Sequence, residues 1–216
     1  MRLIDFIPAL LPALTLAVAC NGGPDTGTDL DGPTDTGDLT DTGDTEGPTE
    51  PEGIVCDGEL LPVIPDVVVV TDMGVCCGAS LDAMVDGTGI DDEGLHNCGD
   101  GDGWKSDGVT SGALTFDLGD VYALDTVTIW NSGQLGGDRG VKNLAIFTSV
   151  DGAAYVPLAQ APTSLEAAVG CPVAPSEYPF DRTEARFVRF DVGSGHGADT
   201  VNVGLLEVQF SGQVCE

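Results

Sequence analysis

The side chains with the most chemical potential in this 216-residue chain are its acids, its cysteines and its two histidines. Thirty-six Asp and Glu stand against seven Lys and Arg, a formal charge of −29. Acids at that density can act as general acids and bases or as hard oxygen ligands for a divalent cation. Yet no catalytic carboxylate pair stands out and no nucleophile sits in a strand–turn–helix elbow. Neither His96 nor His196 lies in a motif. That pattern argues against an enzyme. So acidic a chain also repels phosphates, which argues against nucleic acid or anionic lipid held by bulk charge. Divalent cations and neutral ligands such as sugars are compatible with it.

Of seven cysteines, Cys20 stands apart near the N-terminus. The other six are Cys56, Cys76, Cys77, Cys98, Cys171 and Cys215. Zinc–thiolate sites pair cysteines across two residues, a spacing absent here, and each His stands alone. An even set in an exported domain implies disulfides, with about fifteen possible connectivities for six cysteines. Cys56 opens the folded region and Cys215 lies next to its end. In a sandwich whose termini lie together, these two staple the ends. The vicinal Cys76 and Cys77 then go separately to Cys98 and Cys171, in an order the spacing does not decide.

Three segments position this chemistry. Residues 1–19 read as an export signal, with Arg2 as a minimal positive region and an apolar run from Phe6 to Ala19 too short to span a bilayer comfortably. Leu16-Ala17-Val18-Ala19-Cys20 resembles a bacterial lipobox, which makes Cys20 the expected lipidation site. Asn21 in place of an aspartate leans towards the outer membrane. Residues 20–55 are nearly all Asp, Thr, Gly, Pro and Glu, and residues 21–55 hold ten acids and no Lys or Arg. Such a segment buries too little apolar surface to offset its ordering entropy, so a disordered acidic tether is expected. Residues 56–216 are enough for one domain.

Within that domain, short runs alternate β-branched or aromatic residues with polar ones between turn formers, the pattern of strands. Val188, Phe190 and Val192 share a face against Arg189 and Asp191. Leu206, Val208 and Phe210 do so against Glu207 and Gln209. No stretch keeps a helical period for three turns. The expected fold is an all-β antiparallel sandwich whose loops are free to carry function.

The order and spacing of FDLGDVYALDTVTIWN, RGVKNLAIFTSVDG, ARFVRFDV and GLLEVQFSG, with VDGTG, a histidine and WKSDG upstream, resemble the coagulation factor 5/8 type C, or discoidin, family over roughly residues 60–212. Bacterial members are similar to family 32 carbohydrate-binding modules. The resemblance implies a galactose-binding-like jelly roll of about eight strands, and a binding module rather than an enzyme. It places Trp104, Phe116, Leu118, Val127 and Ile129 in the core. Asp117-Leu118-Gly119 is expected to close a strand, and Asp151-Gly152 to form a tight turn. The implied partner is a carbohydrate, or another cell-surface or matrix component. With Cys20 lipidated, the domain would stand at the bacterial cell envelope, on the outer membrane or cell surface. The alternative is an adhesive module that binds a protein and has no sugar site.

The same resemblance supplies a metal site and ligand candidates. Val85-Asp86-Gly87-Thr88 matches a turn that binds a structural calcium in many members, with Glu207 as the matching C-terminal ligand. Asp86, Thr88 and Glu207 are therefore the expected calcium ligands. Glu207, opposite the Leu206 stripe, need not be buried. Ligand recognition is expected in the loops at one end of the sandwich. The candidates there are His96, Trp130, Asn131, Arg139 and His196.

Overall fold

Alternation with a period of two buries one face of each strand, and long strands that bend can bury that face against themselves. The computed structural model describes residues 55–198 and 200–215. The export segment, Cys20 and all but the end of the acidic tether lie outside the described residues. Among the described residues eight strands form: β1 (Leu60–Leu61), β2 (Val68–Thr71), β3 (Trp104–Lys105), β4 (Gly112–Asn131), β5 (Val141–Ser149), β6 (Val156–Pro157), β7 (Ser176–Gly195) and β8 (Gly204–Val214). All their pairings are antiparallel.

The two long strands make the sandwich. β4 and β7 pair along their length, with a register break between Asp117 and Tyr122. Before the break β4 also pairs with β2, and after it with β8. The pair thus passes from one layer to the other. One layer runs β2, β4, β7, β5, β6 and the second runs β7, β4, β8, with β1 and β3 on β8. Asp117-Leu118-Gly119 therefore does not close a strand. It is the bend in a strand that continues to Asn131, and Gly119 takes φ +86° there, which a side chain would resist.

The core lies between the layers. Phe116, Phe190 and Phe210 are fully buried and meet with ring centroids 4.9, 5.2 and 6.4 Å apart. Leu114, Leu118, Val127, Ile129, Val188, Val192 and Val208 surround them. Trp104 belongs to this core and donates its indole N–H to the Gly74 carbonyl at 2.9 Å. Asp151 accepts backbone N–H bonds from Ala153 and Ala154, and Gly152 takes φ +74°, as a tight turn needs.

Leu206 breaks the expected stripe. Trp130 pairs with Glu207 and Asn131 with Leu205, so β8 carries an extra residue at this point, a β-bulge. Leu205 takes the core position, while Leu206 turns outward to pack with Trp130 and Val173 in a second, smaller cluster.

Cys56 bonds Cys215, stapling the ends of the domain. The other two disulfides differ from the expected pairing. Cys98 bonds Cys171, and the vicinal Cys76 and Cys77 bond each other. The reason lies in the chain path. Residues 89–98 cross the outside of the second layer, where His96 and Val173 exchange backbone hydrogen bonds at 2.8 Å, which brings Cys98 beside Cys171.

Candidate functional site

The Asp86 turn rests directly on β8. Asp86 Oδ1 accepts the Thr88 N–H at 2.7 Å, and Gly87 donates its N–H to Glu207 Oε1 at 2.9 Å. Gln209 Nε2 donates to the same oxygen at 3.2 Å. Contrary to expectation, Glu207 is fully buried, because the turn covers it. Its Oε2 is buried with no partner among the described residues. Burial pushes this carboxyl up to about 7, and the Asp86 charge adds to the rise, against the two hydrogen bonds.

Those facts test the fit of a calcium ion. An orphaned, buried carboxylate oxygen beside a second carboxylate is an electrostatic defect that a divalent cation would relieve. Among the described residues no three His, Cys, Asp or Glu side chains converge, so further oxygens would have to be backbone carbonyls or water. The residues present fit calcium on those terms.

The five expected ligand contacts do not form one surface. His96 is fully buried: its Nδ1 donates to the Asn97 carbonyl at 2.7 Å, and its ring packs against Gly89. Trp130 is 4% exposed and donates Nε1–H to the Gly94 carbonyl at 2.9 Å. Asn131 is buried and spends its whole amide on the backbone. Its Nδ2 reaches the Val141 and Glu166 carbonyls, and its Oδ1 accepts from Ser132 and Val141. These three hold loops in place. None is a ligand platform, because the 89–98 segment and the loop before Pro172 have closed over them. Arg139 and His196 do lie at one loop cluster, half-buried. There Arg139 donates to Gln134 Oε1 at 3.2 Å, and the His196 N–H meets the Gly140 carbonyl. Sequence reasoning missed Lys105, which is buried at the same end, with its pKa lowered by burial first and then by Arg139. Its place in the WKSDG run was the available signal.

A different arrangement occupies the outside of the second layer. On β4, β7 and β8 the pairings set Gln209, Thr128 and Glu177 in one cross-strand row and Ser211, Thr126 and Pro179 in the next. A groove of about 560 Å³ runs over these rows.

A two-layer antiparallel jelly roll with loops at its ends and a buried carboxylate under an Asp-Gly turn defines a class of β-sandwich domains. The chain belongs to one family of that class, the F5/8 type C domain family, whose model matches residues 80–204. The fold is that of galactose-binding-like, family 32 modules. A CBM32-3 module of a family 31 glycoside hydrolase from Clostridium perfringens superposes with TM-score 0.55 at 17% identity, over 71% of this chain and 94% of that one. The family 32 module of NanJ from the same organism, in complex with galactose, gives TM-score 0.50 at 12% identity, over 69% and 97%. A family 89 glycoside hydrolase from that organism is matched at TM-score 0.49 and 21% identity over 69% of this chain, which spans 14% of the enzyme. No curated protein matches the chain.

Proposed function

We propose that this chain is a non-catalytic carbohydrate-binding module, stabilised by calcium and held at the bacterial cell envelope through a lipid on Cys20. The observation that carries the reading is the F5/8 type C match over residues 80–204, in a fold shared with a module complexed with galactose. The charge supports it, since −29 disfavours anionic partners and leaves neutral sugars open. Arg139 is the loop-end group with surface to offer a hydroxyl, whereas the Nε2 of His196 beside it is buried. A glycan array tests the reading: binding to neutral, galactose-containing glycans is expected, and silence across neutral and acidic glycans overturns it in favour of a protein partner.

Calcium would be held by Glu207 and Asp86, with Thr88 completing the turn. The ion would supply a positive charge at the unpartnered Glu207 oxygen and so lock the turn to β8. Calcium is expected to raise the melting temperature and Asp86→Ala to abolish the rise. A chelator titration without any shift in melting sinks this part alone. For Cys20, labelled palmitate should enter the wild-type chain in a bacterial host and not the Cys20→Ser variant.

A further inference from the structure

The outside of the second layer carries polar side chains that the fold leaves largely unused. Thr126, Thr128 and Trp130 are the outward residues of β4, since Val127 and Ile129 between them are in the core. Gln209 and Ser211 are their counterparts on β8 and Glu177 on β7. The uppermost row, Glu207 with Trp130, is roofed by the Asp86 turn and the 89–98 segment. The two rows below it are open. Their groove of about 560 Å³ has Pro62 and Pro175 along its lining, with Glu93 and Gly94 beside Trp130. Among the described residues, the hydroxyls of Thr126, Thr128 and Ser211 and the carboxylate of Glu177 make no hydrogen bond. Gln209 uses only its Nε2.

We infer that this groove binds an extended, neutral sugar chain along the sheet, a site separate from the Arg139 and His196 loop cluster. The inference rests on the carbohydrate reading and gives it a location. Each strand offers an outward polar group about every 6.8 Å, and neighbouring strands stand about 4.8 Å apart. The result is a grid of hydroxyl, amide and carboxylate groups that can exchange hydrogen bonds with a run of sugar hydroxyls. A peptide is a poorer occupant, because strand addition needs a free sheet edge. Here β4 is paired on both sides, so its backbone is already spent. Acidic glycans are excluded by Glu93 and Glu177, with no Lys or Arg in the lining.

The test is titration calorimetry of the described domain joined to its native N-terminal residues, with neutral β-linked galactan and glucan probes from monosaccharide to pentasaccharide. Polygalacturonate serves as the acidic control. Affinity is expected to climb with chain length as more rows engage. Thr128→Arg fills the groove and Glu177→Lys reverses an exposed charge at its rim. Each should cost roughly tenfold or more in affinity. Should Thr128→Arg fail to fold, Glu177→Lys decides, since its side chain stands in solvent. If both variants bind as the wild type does while Arg139→Ala loses binding, the groove is wrong and the carbohydrate reading stands. If the wild type binds no sugar at all, both fall.

Discussion

On the outside of the first layer, Arg186 grips Asp117 through two bonds of 2.9 and 3.0 Å, and Arg189 meets Asp191 at 2.6 Å. Both guanidiniums also lie against rings, Arg186 over Phe187 and Arg189 near Tyr155. On the outside of the second layer the hydroxyls of Thr126, Thr128 and Ser211 make no hydrogen bond among the described residues. The two faces share strands β4 and β7 and one core, yet the first pairs its guanidiniums with carboxylates while the second leaves Thr126, Thr128, Ser211 and Glu177 without partners. A face whose charges already have partners gives up those bonds to take a ligand. A face of unpaired hydroxyls gives up only water, and that asymmetry makes the second layer the receptive one.

Four outcomes would break or sharpen this contrast. Both faces rest on the phenylalanine cluster, so Phe116→Ala should cost up to about 5 kcal/mol in urea unfolding and damage both alike. A loss confined to one face would mean the layers fold independently. Removing the Cys98–Cys171 bond as a double alanine variant should cost about 4 kcal/mol by chain entropy for its separation of 73 residues. Limited proteolysis should then cut within residues 89–98, over the second layer, and leave the first intact.

The third outcome concerns pH. The folded carboxyl of Glu207 holds its proton up to about 7, whereas the unfolded chain releases it near 4.5. Between those values the native state binds more protons than the unfolded one, so stability falls as pH rises. In chelator the melting temperature should therefore drop from pH 5 to pH 8. The loss is on the order of 2 kcal/mol, once screening across the open Asp86 turn is allowed for. Glu207→Gln should flatten the profile, and calcium in excess should remove the drop in the wild type. The smallest effect belongs to the first face. Arg186→Ala should leave the urea midpoint nearly unmoved, because the pair is 42% and 33% exposed and water screens it. Sugar affinity should not change with it.

The layers were legible in the sequence where alternation is strict. Val188, Phe190 and Val192 face inward as their spacing requires, and so do Val127 and Ile129. Alternation failed at Leu206, because a bulge inserts one residue without altering composition and no local signal marks it. The disulfides were legible at the termini, where the chain ends of this sandwich meet. They were not legible inside, where pairing follows the path of the 89–98 segment across the sheet. The same path hid His96 and Trp130, and the segment at Glu166 hid Asn131. Each is a residue type that recognises ligands, and each is consumed by a loop whose course depends on tertiary packing. The groove was written in plain sight as outward Thr, Gln and Ser. Ordinary solvent-facing positions look identical until the pairing sets them side by side.

The Cys56–Cys215 bond has a mechanical meaning for a domain pulled from its N-terminal side. Load entering through the residues before Cys56 passes across sulfur into Cys215, and from there into β8, which pairs with β4 along its length. It bypasses β1, a strand of two residues that would peel first. The 159-residue separation is thereby closed into a ring, and pulling from the N-terminal side cannot unspool it while the bond is intact. In a force-extension trace the domain should behave as a knot in the line, lengthening only after a reductant is added.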